Sequence, residues 1–495
     1  MDSADTSRRR QFAVDGVVAL AAGTAAVAGS YAVAGFTPAF VVAPVEGALA
    51  RTMPGVVVTL VITVLGSLGQ QLNLLTAVGL AAVGLGVPAL AARRGVRGRA
   101  PVATIAAVAG AGLAVGALVW LLTRSPGSAT GAGVAVGGVL ALAGFVERSE
   151  AGVLPTDTER RGILAAVAGT AVAGLVADSR GIDSGSKAQR ALPEGPAGDL
   201  LREARQTSLD VTGLEPLVSE HFYQVDINSV DPTIDSEEWS LSITGAVNEE
   251  VTVDLKDLRE MESREEFVTL RCVGESLNGR KTDTAVWTVV DVAPLLERAG
   301  APEGCCVMLR AVDGYFVQFP RTALEMGMLA YGMNGRDLPR GHGAPVRALI
   351  PGHWGEVNTK WLSEIEILDE PVDGYWEKRG WHGTGPVETV AKLHVTNLLA
   401  DSRVEVAGHA YAGTRGVDRV EVSTDGGATW TEAELSTPLP GEDVWRQWVY
   451  RYDPPDESHE VVVRAVDGTG TVQPSEESGA FPSGPTGWVS KTIRP

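Results

Sequence analysis

Cysteine and histidine are scarce in this chain of 495 residues, and their positions argue against several kinds of metal protein. The three cysteines are too few for a disulfide framework, and neighbours such as Cys305 and Cys306 rarely pair. No Cys-x-x-Cys-His run for covalent haem attachment is present, and the cysteine spacing fits neither zinc nor iron–sulfur ligation. The first of the seven histidines is His221, so the N-terminal third is better suited to anchoring than to carrying electrons through haem.

Positive charge is also in short supply. The chain has 41 basic and 61 acidic residues and a net charge of −20, so it offers no basic stripe to nucleic acid. The charge is unevenly distributed, because residues 1–177 carry a net charge of +4 and the remainder carries −24. An apolar first third therefore precedes a strongly acidic part, where an anionic substrate would need a local basic pocket.

Long apolar runs fill the first third and predict an α-helical transmembrane bundle over residues 1–177. Each run approaches the roughly 20 residues that a helix needs to cross a bilayer. Alanine, glycine and valine dominate these runs, as in closely packed membrane helices. The predicted spans are 12–34, 73–92, 101–123, 130–147 and 162–177, and the run 55–72 is either a sixth span or a re-entrant segment.

Arginines in the loops between these runs predict the orientation in the membrane. Five spans with the N-terminus inside leave ten arginines inside and two outside, in line with the positive-inside rule. Six spans with the N-terminus outside give eight against four. Both arrangements predict a multi-pass cell-membrane protein whose residues after 178 lie outside the cytoplasm.

A pair of arginines ahead of the last apolar run has two interpretations. The segment Glu159-Arg160-Arg161-Gly-Ile-Leu loosely resembles an internal twin-arginine signal for export of folded proteins. Adjacent arginines before an apolar helix are also ordinary determinants of topology.

Composition divides the rest of the chain into a linker and two domains. Residues 178–213 contain many turn-forming residues and predict a linker. Residues 214–382 mix strand-like runs such as 239–245 with helical runs such as 289–299, which predicts an α+β domain. Residues 383–495 predict a β-sandwich with strands at 404–410, 417–423, 445–452 and 460–466 and with Trp430, Trp445 and Trp448 in its core.

Cys272 stands where a thiol can become reactive. It directly follows the strand-like run that ends at Arg271, and the chain turns at Gly274. A thiol beside Arg271 and near Arg280 and Lys281 can have a lowered pKa, and the thiolate is a ligand for soft or high-valent metals. The alternative is a small buried apolar side chain.

A second group of chemically useful residues lies between 341 and 361. Glycines there let backbone amides approach a ligand, and the cationic and hydrogen-bonding side chains suit a phosphate. The alternative is a solvated loop around a buried tryptophan. The side chains in question are His342, Arg347, Asn358, Thr359 and Lys360.

Together these segments resemble the sulfite-oxidase family of molybdopterin enzymes over most of residues 214–495. Several independent motifs occur in the family's order. They are His221-Phe-Tyr with Trp239, which is similar to the first strand; Leu270-Arg-Cys-Val, similar to the metal-cysteine segment; Leu329–Gly335 with 342–361, similar to the cofactor segment; and Val422–Trp430 with Trp445–Trp448, similar to the immunoglobulin-like dimerisation domain.

The resemblance implies a molybdenum–molybdopterin cofactor and a two-electron oxygen-atom transfer, in which the cofactor performs the chemistry and the protein orients it. It implies that the catalytic Cys272 gives its thiolate to molybdenum. It also implies a separate electron carrier and a possible homodimer formed through the C-terminal domain. The implied cofactor-binding residues are His342, Arg347, Asn358, Thr359 and Lys360, with His221, Gln224 and Val225 on the N-terminal side.

Two departures from the family pattern concern the substrate. Sulfite-oxidising members have an arginine where Val225 stands and an arginine pair where Ser276 and Leu277 stand. Arg280 or Lys281 would then have to supply the positive charge that an anion needs. A tyrosine near the site in those enzymes falls, by a loose match, around Trp381.

Three functional hypotheses follow. The first is a sulfite-oxidase-like oxidoreductase acting on a small sulfur oxyanion or S-oxide. The second is a methionine-sulfoxide or other S-oxide reductase, a relative that also lacks the arginine at position 225 but usually lacks the C-terminal sandwich. The third is a non-catalytic membrane-bound binding protein whose β domain is the working part. Metal and pterin content separates the third hypothesis from the others.

Overall fold

The computed structural model describes residues 3–60, 67–95, 101–148 and 192–494, which form two compact units. One unit holds the N-terminal helices other than Gly55–Leu60, together with residues 226–233. The other holds the remaining described residues, including everything from 234 onwards.

The N-terminal helices follow the apolar runs. They are α1 (Ser3–Ala34), α2 (Val42–Thr52), α3 (Gly55–Leu60), α4 (Ser67–Gly95), α5 (Pro101–Thr123) and α6 (Pro126–Arg148). In the part of the chain that the structure describes, four helical stretches are long and apolar enough to cross a membrane: Gln11–Ala34, Gln71–Gly95, Val102–Thr123 and Pro126–Gly144.

These four stretches confirm that the first four predicted spans are apolar helices of membrane-spanning length. The fifth predicted span, 162–177, and the arginine pair at 160–161 lie outside the described residues. Of the segment 55–72, α3 covers the beginning and α4 the end, while residues 61–66 lie outside the description. The number of spans and their orientation stay predictions.

Small residues allow these helices to approach one another closely. A side chain at Gly112 of α5 would bring its Cβ to 2.8 Å from the carbonyl oxygen of Gly133 in α6. The buried hydroxyls of Ser30 in α1 and Ser128 in α6 form a hydrogen bond of 2.6 Å. Close backbone packing and hydrogen bonds between helices are what hold helices together where the hydrophobic effect is weak.

The central domain contains ten strands and several short helices. The strands are β1 (Ser240–Gly245), β2 (Val251–Asp254), β3 (Ser263–Arg271), β4 (Thr282–Asp291), β5 (Cys306–Ala311), β6 (Phe316–Pro320), β7 (Met328–Met333), β8 (Arg336–Asp337), β9 (Arg347–Leu349) and β10 (Leu362–Leu368). The helices are α7 (Pro196–Thr207), α8 (Leu255–Glu260), α9 (Ala293–Ala299) and α10 (Arg321–Leu324).

The strands form two sheets, as an α+β domain requires. One has the order β2-β1-β10-β5-β6, in which β1 and β10 are parallel. The other has the order β3-β4-β7-β8, with β9 also paired to β7. Apolar side chains of β1, β5 and β10 form a core that includes Leu241, Leu309 and Ile365. The second sheet is the one that carries the candidate site, because Cys272 follows β3 and Arg347 begins β9.

Local patterns explain where the predictions succeeded and where one was wrong. The alternating run from Trp239 becomes β1, with Leu241 and Ile243 buried on one face. The predicted helix 289–299 begins only at Ala293, because Val289 and Val290 pair with β7 as the end of β4. A run of consecutive apolar residues is compatible with a buried strand and with a helix. Here the pairing with β7 determines that Val289 and Val290 belong to a strand. The helix ends at Gly300, in a left-handed conformation, as predicted.

The predicted linker contains a regular element. Helix α7 occupies Pro196–Thr207 and buries Ala197, Leu201 and Ala204. The spacing of these three residues places them on one face of a helix, which packs into a core together with Trp445 of the C-terminal domain.

The C-terminal domain is made of two antiparallel sheets. One has the order β11-β13-β17-β16 with β12 on β13, and the other has the order β15-β14-β18-β19. Both contribute to one core that contains Val406, Trp448 and Val463. The two-layer arrangement agrees with the predicted sandwich, and its likeness to an immunoglobulin domain stays a prediction. The strands are β11 (Val390–Ala391), β12 (Val395–Leu398), β13 (Val404–Tyr411), β14 (Val417–Ser423), β15 (Thr431–Glu432), β16 (Glu434–Leu435), β17 (Arg446–Tyr452), β18 (His459–Asp467) and β19 (Val489–Ile493).

Two expectations about single side chains were wrong. Of the three tryptophans predicted in the core of the sandwich, only Trp448 lies there: Trp430 is half-buried and packs edge-on against Trp488, and Trp445 is buried in the separate core that contains α7. Cys305 and Cys306 form a disulfide, since the chain bends at Cys305 just before β5 begins.

Candidate functional site

The end of the β3–β4 hairpin presents Cys272. The two strands pair from Ser263 to Arg271, and the Cys272 amide continues the ladder by donating to the Lys281 carbonyl at 2.9 Å. The chain then turns, and the amide of Glu275 donates to the Cys272 carbonyl at 3.3 Å. Cys272 is half-buried and has a free thiol. A strand end followed by a tight turn therefore holds this thiol at an accessible edge of the sheet.

The charge around Cys272 differs from the sequence prediction. Burial raises the pKa of the Cys272 thiol, and the carboxylates of Glu275 and Glu356 add to this effect. Lys281 and a hydrogen bond from the Gly274 backbone act in the opposite direction without cancelling it. The expectation of a lowered pKa was wrong, because Arg271 turns away and pairs with Glu275 at 2.8 Å. A coordinated metal removes the thiol proton regardless, so this environment remains suited to a metal ligand.

Arg347 and Lys360 lie on either side of Gly343. An added Cβ at Gly343 would lie 3.0 Å from Lys360 Cβ and 3.1 Å from Arg347 Cβ, and its φ of +109° also favours glycine. Arg347 is 4% exposed and donates to the carbonyls of His342 and Asn358, while Lys360 Nζ donates to the Gly341 carbonyl at 2.8 Å. The absence of a side chain at Gly343 thus allows two cations to approach the same stretch of backbone.

His342 completes this cationic cluster as a neutral ring. Burial lowers the pKa of His342 to about 3, and the charges of Arg347 and Lys360 lower it further in the same direction. The ring packs edge-on against Phe222 with centroids 5.5 Å apart, and Arg347 lies 5.1 Å from the centroid of Trp287. At neutral pH His342 can therefore donate or accept a hydrogen bond without adding charge.

Asn358 and Thr359 are buried and serve the loop itself. The Asn358 side chain accepts from the Ile350 amide at 2.7 Å and donates to the Trp354 carbonyl at 3.1 Å. The Thr359 hydroxyl lies 3.4 Å from the Val357 carbonyl, and its residue is 1% exposed. These two side chains hold the backbone of the loop, so any contact they make with a cofactor would come through that backbone.

The three predicted residues on the N-terminal side are exposed. His221, Gln224 and Val225 lie in an irregular segment before β1. Gln224 approaches the cationic cluster, because a Cβ at Gly341 would lie 2.7 Å from its side-chain oxygen. Val225 is 38% exposed, an open position for an apolar side chain.

One hydrogen bond joins the thiol segment to the loop of the cationic cluster. The amide of Gly355 donates to the carbonyl of Arg271, the residue before Cys272, at 2.7 Å. Tyr223 lies at the same junction, since a Cβ at Gly355 would be 2.6 Å from its hydroxyl. Burial raises the pKa of Tyr223, Cys272 raises it further and Arg347 lowers it, which places the phenol in the electrostatic reach of both groups.

These residues fit a phosphorylated pterin that brings its own metal. Around Gly343, Arg347 and Lys360 pack so closely that an added Cβ would lie 3.1 Å and 3.0 Å from their Cβ atoms, and two cations at one stretch of backbone suit a phosphate. Among the described residues, no group of three or more His, Cys, Asp or Glu side chains could hold a metal ion. A metal bound by the one thiol would therefore need its other ligands from a cofactor, which a molybdopterin supplies.

Sequence reasoning missed a buried pair of carboxyls near the thiol. Glu356 is 9% exposed and faces Glu377, and its Oε2 and the Val273 side chain both lie against Gly383. Burial raises the pKa of Glu356 to about 9, with the charge of the nearby Glu377 adding to the shift. The only signal in the sequence was that Glu356 follows Gly355 within the segment 341–361. A single glutamate forms no motif, so sequence reasoning passed over it.

Two tryptophans near the site, Trp354 and Trp381, are packed in the core. Trp354 and Trp381 are each 2% exposed and belong to one core cluster. The ring of Trp354 faces the Arg271 guanidinium at 4.7 Å, and Trp381 packs edge-on against Phe481. His353 bonds the Pro351 carbonyl through its Nδ1.

Comparison with known proteins agrees with this arrangement. Residues 228–376 match the oxidoreductase molybdopterin binding domain, and residues 387–481 match the Mo-co oxidoreductase dimerisation domain. The two matched domains are thus those of a molybdopterin-binding oxidoreductase with a dimerisation domain. Over these two domains the chain is similar to the sulfite-oxidase family of molybdopterin oxidoreductases.

Individual relatives cover part of the chain. Mitochondrial sulfite oxidase of Mus musculus is 29% identical over 301 residues, which are 49% of this chain and 54% of that protein. Sulfite oxidase of Arabidopsis thaliana is 27% identical over 361 residues, covering 57% of this chain and 91% of the relative. The sulfane dehydrogenase SoxCD from Paracoccus pantotrophus is 20% identical, with a TM-score of 0.43 and coverage of 59% and 86% of the two chains. The chain spans about half the length of the mouse enzyme.

Proposed function

We propose that this protein is a membrane-anchored molybdenum-cofactor oxidoreductase that transfers an oxygen atom to or from a small sulfur oxyanion or S-oxide. One observation carries the proposal: the segment of Cys272 and the loop of Arg347 and Lys360 are bonded together by Gly355 and Arg271 at 2.7 Å. A single thiol beside a phosphate-binding cradle suits a metal shared between one cysteine and a phosphorylated pterin.

Each side chain has a role that its surroundings support. Cys272 would provide the thiolate ligand at the strand end. Arg347 and Lys360 would offset the negative charge of the cofactor phosphate, and neutral His342 would add a hydrogen bond. Gln224, with His221 and Val225, would cover the exposed N-terminal side, and Asn358 and Thr359 would hold the loop. When bound, the cofactor would supply two-electron oxygen-atom transfer with molybdenum alternating between its hexavalent and tetravalent states.

Lys281 would provide the positive charge that an anionic substrate needs. It lies opposite Cys272 in the hairpin, and paired residues of an antiparallel ladder have side chains on the same face. Within the described residues its ammonium group forms no ion pair or hydrogen bond. Arg280 is exposed and lies in a bend outside the strands of the hairpin. Lys281 is therefore the better substitute for the arginines that Val225, Ser276 and Leu277 replace.

Reduction of an uncharged S-oxide is a second candidate, and Glu356 favours it. A pKa of about 9 keeps the Glu356 carboxyl protonated at neutral pH. A protonated carboxyl can donate a hydrogen bond to the oxygen of a neutral S-oxide, and it adds no charge to assist an anion. Comparing the activity with an anionic substrate and with a neutral S-oxide therefore tests whether Lys281 or Glu356 determines the substrate preference.

The remaining assignments extend the proposal to the whole chain. Residues 1–177 would be the membrane anchor, 178–213 the connection to it, 214–382 the catalytic domain and 383–495 the dimerisation domain. The soluble part would lie outside the cytoplasm, work as a homodimer and exchange electrons with a separate carrier protein.

Metal and pterin analysis of the purified full-length protein tests the proposal. We expect one molybdenum and one pterin per chain, and turnover of sulfite or of a methyl sulfoxide with artificial electron carriers. A protein prepared in a molybdenum-replete host that contains neither metal nor pterin would instead support the membrane-bound binding protein.

A further inference from the structure

Three charged side chains are buried together beneath the segment that carries Cys272. Arg271 is 0% exposed, and Glu275 and Lys392 are each 2% exposed. Glu275 pairs with Arg271 at 2.8 Å and with Lys392 at 2.7 Å. Burying charges is costly unless they are paired and hydrogen-bonded, so this cluster has to be held in one geometry.

Glu275 ties together both sides of the turn that follows Cys272. Its Oε1 accepts from the Thr282 hydroxyl at 3.1 Å, and its Oε2 accepts from the Lys281 amide at 3.0 Å. Its own amide donates to the Cys272 carbonyl. The carboxylate therefore links the turn after Cys272 to Lys281 and Thr282, which lie across the hairpin from Cys272 and Arg271.

Lys392 comes from the C-terminal domain and saturates its ammonium group within the turn. Its Nζ lies 2.7 Å from both oxygens of Glu275, 2.6 Å from the Thr282 hydroxyl and 3.0 Å from the Gly279 carbonyl. The next residue, Leu393, exchanges two hydrogen bonds of 2.9 Å with the side chain of Asn278. Side chains of the turn and of the C-terminal domain are thus hydrogen-bonded to one another at several points.

Lys392 is itself firmly held. Its amide donates to the His409 carbonyl at 2.8 Å, and its carbonyl accepts from the Trp448 indole at 3.1 Å. A side chain at Gly408 would collide with the Lys392 carbonyl, so the close approach depends on that glycine. The backbone of Lys392 is therefore fixed by hydrogen bonds to β13 and β17, and its ammonium group extends from there to the turn.

We propose that Lys392 is a positioning residue for Cys272, acting through Glu275, so that the C-terminal domain completes the active site of its own chain. This inference rests on the proposed function of Cys272 as a metal ligand. Arg271 and Cys272 are consecutive residues of an extended chain, so their side chains lie on opposite faces. The buried charges therefore support the segment on one face, and a cofactor would approach the thiol on the other. Partners that orient a metal ligand commonly affect activity or metal affinity by about 10–100-fold.

The test compares molybdenum-loaded wild type with Lys392→Met and Lys392→Arg in the full chain. We expect Lys392→Met to lower kcat per bound molybdenum by about 10-fold or more, to leave KM nearly unchanged and to shift the electron paramagnetic resonance of the one-electron-reduced metal. Lys392→Arg should recover part of both readouts. Arg451→Met is the matched control, because it also strips a cation from a buried carboxylate, Glu405, within the same domain. It should lower thermal stability without changing kcat or the spectrum.

Unchanged kcat per molybdenum and an unchanged spectrum in Lys392→Met would overturn the inference. If that variant does not fold, the double variant Glu275→Gln, Lys392→Met removes the buried pair together and should show the same loss and spectral shift. A fully active double variant with the wild-type spectrum would also overturn it. A wild-type protein without molybdenum would count against the proposed function. Failure of the proposed function and failure of the inference about Lys392 can therefore be distinguished.

Discussion

Lys281 lies opposite Cys272 across the end of the β3–β4 hairpin, joined by a hydrogen bond of 2.9 Å from the Cys272 amide to the Lys281 carbonyl. The pairing places a cation on the face of the thiol, whereas Arg271 and Glu275 occupy the opposite face. We therefore expect the Lys281 ammonium group on the opposite face of the hairpin from the buried charges that support the turn.

Replacing Lys281 tests this cation directly. In Lys281→Gln we expect KM for sulfite to rise about 10-fold or more, because a hydrogen bond to a charged group contributes about 1.5–3 kcal/mol. KM for a neutral methyl sulfoxide should change little. Arg280→Gln is the control, since Arg280 is the neighbouring cation in the chain and is exposed. Steady-state kinetics of the three proteins decide the point, and equal effects on both substrates would show that Lys281 does not recognise charge.

Cys272→Ser should abolish turnover while the protein stays folded. A serine hydroxyl is close to the thiol in size but is a poor ligand for a high-valent metal in the place of a thiolate. We expect kcat per bound molybdenum to fall at least about 100-fold. Thermal unfolding should be nearly unchanged, because Cys272 is half-buried and has no disulfide partner. A variant that retains wild-type turnover would remove Cys272 from the chemistry.

Arg347→Met should weaken cofactor retention. The side chain carries its charge at 4% exposure beside Gly343, where the pterin phosphate is expected. We expect molybdenum and pterin to be lost together, with an apparent affinity reduced by about 10–100-fold. Arg310→Met is a suitable control, since Arg310 pairs with Glu366 in the other sheet. Metal and pterin content after dialysis gives the comparison, and full retention in Arg347→Met would contradict the assigned role.

Asp443 predicts a pH dependence of stability. It accepts from the Gly352 amide at 2.9 Å and from the Tyr411 hydroxyl, and burial raises its pKa from 3.8 to about 7. The folded protein therefore binds a proton that the unfolded chain has lost between those pH values, so this residue lowers stability as pH rises through that window. Asp443→Asn has no such titration. The melting temperature of the variant should therefore rise relative to that of the wild type as pH increases from about 4 to about 7.

Calorimetry in detergent at fixed scan rate measures that difference, and parallel curves for the two proteins would contradict it. Asp467→Asn provides a control of opposite sign. Although burial alone would raise the pKa of Asp467, hydrogen bonds from Thr469 and Arg415 lower it overall. The stability that Asp467 contributes is present above its unfolded pKa and is lost as pH falls, so its replacement should matter least in acid.

The regular elements could be predicted because their signals are local. Strand β14 has the predicted bounds Val417–Ser423, and β18 differs from the prediction by one residue at each end. Four predicted membrane spans coincide with long apolar helices. The error at Val289 and Val290 arose because a run of apolar residues fits two periods. Only the neighbouring strand β7 determined which of them is used.

The amino-acid sequence by itself determined the order of apolar helices, mixed domain and sandwich, since repeating polarity needs only neighbouring residues. Short motifs likewise identified Cys272, His342, Arg347 and Lys360 as candidates. The tertiary structure decided what surrounds the thiol. Lys392 follows Glu275 by 117 residues and meets it only because two domains pack together. The raised pKa of Glu356 arises in the same way, through burial that no local pattern reveals. Desolvation and long-range pairing are properties of the folded chain, and they set the electrostatics of this site.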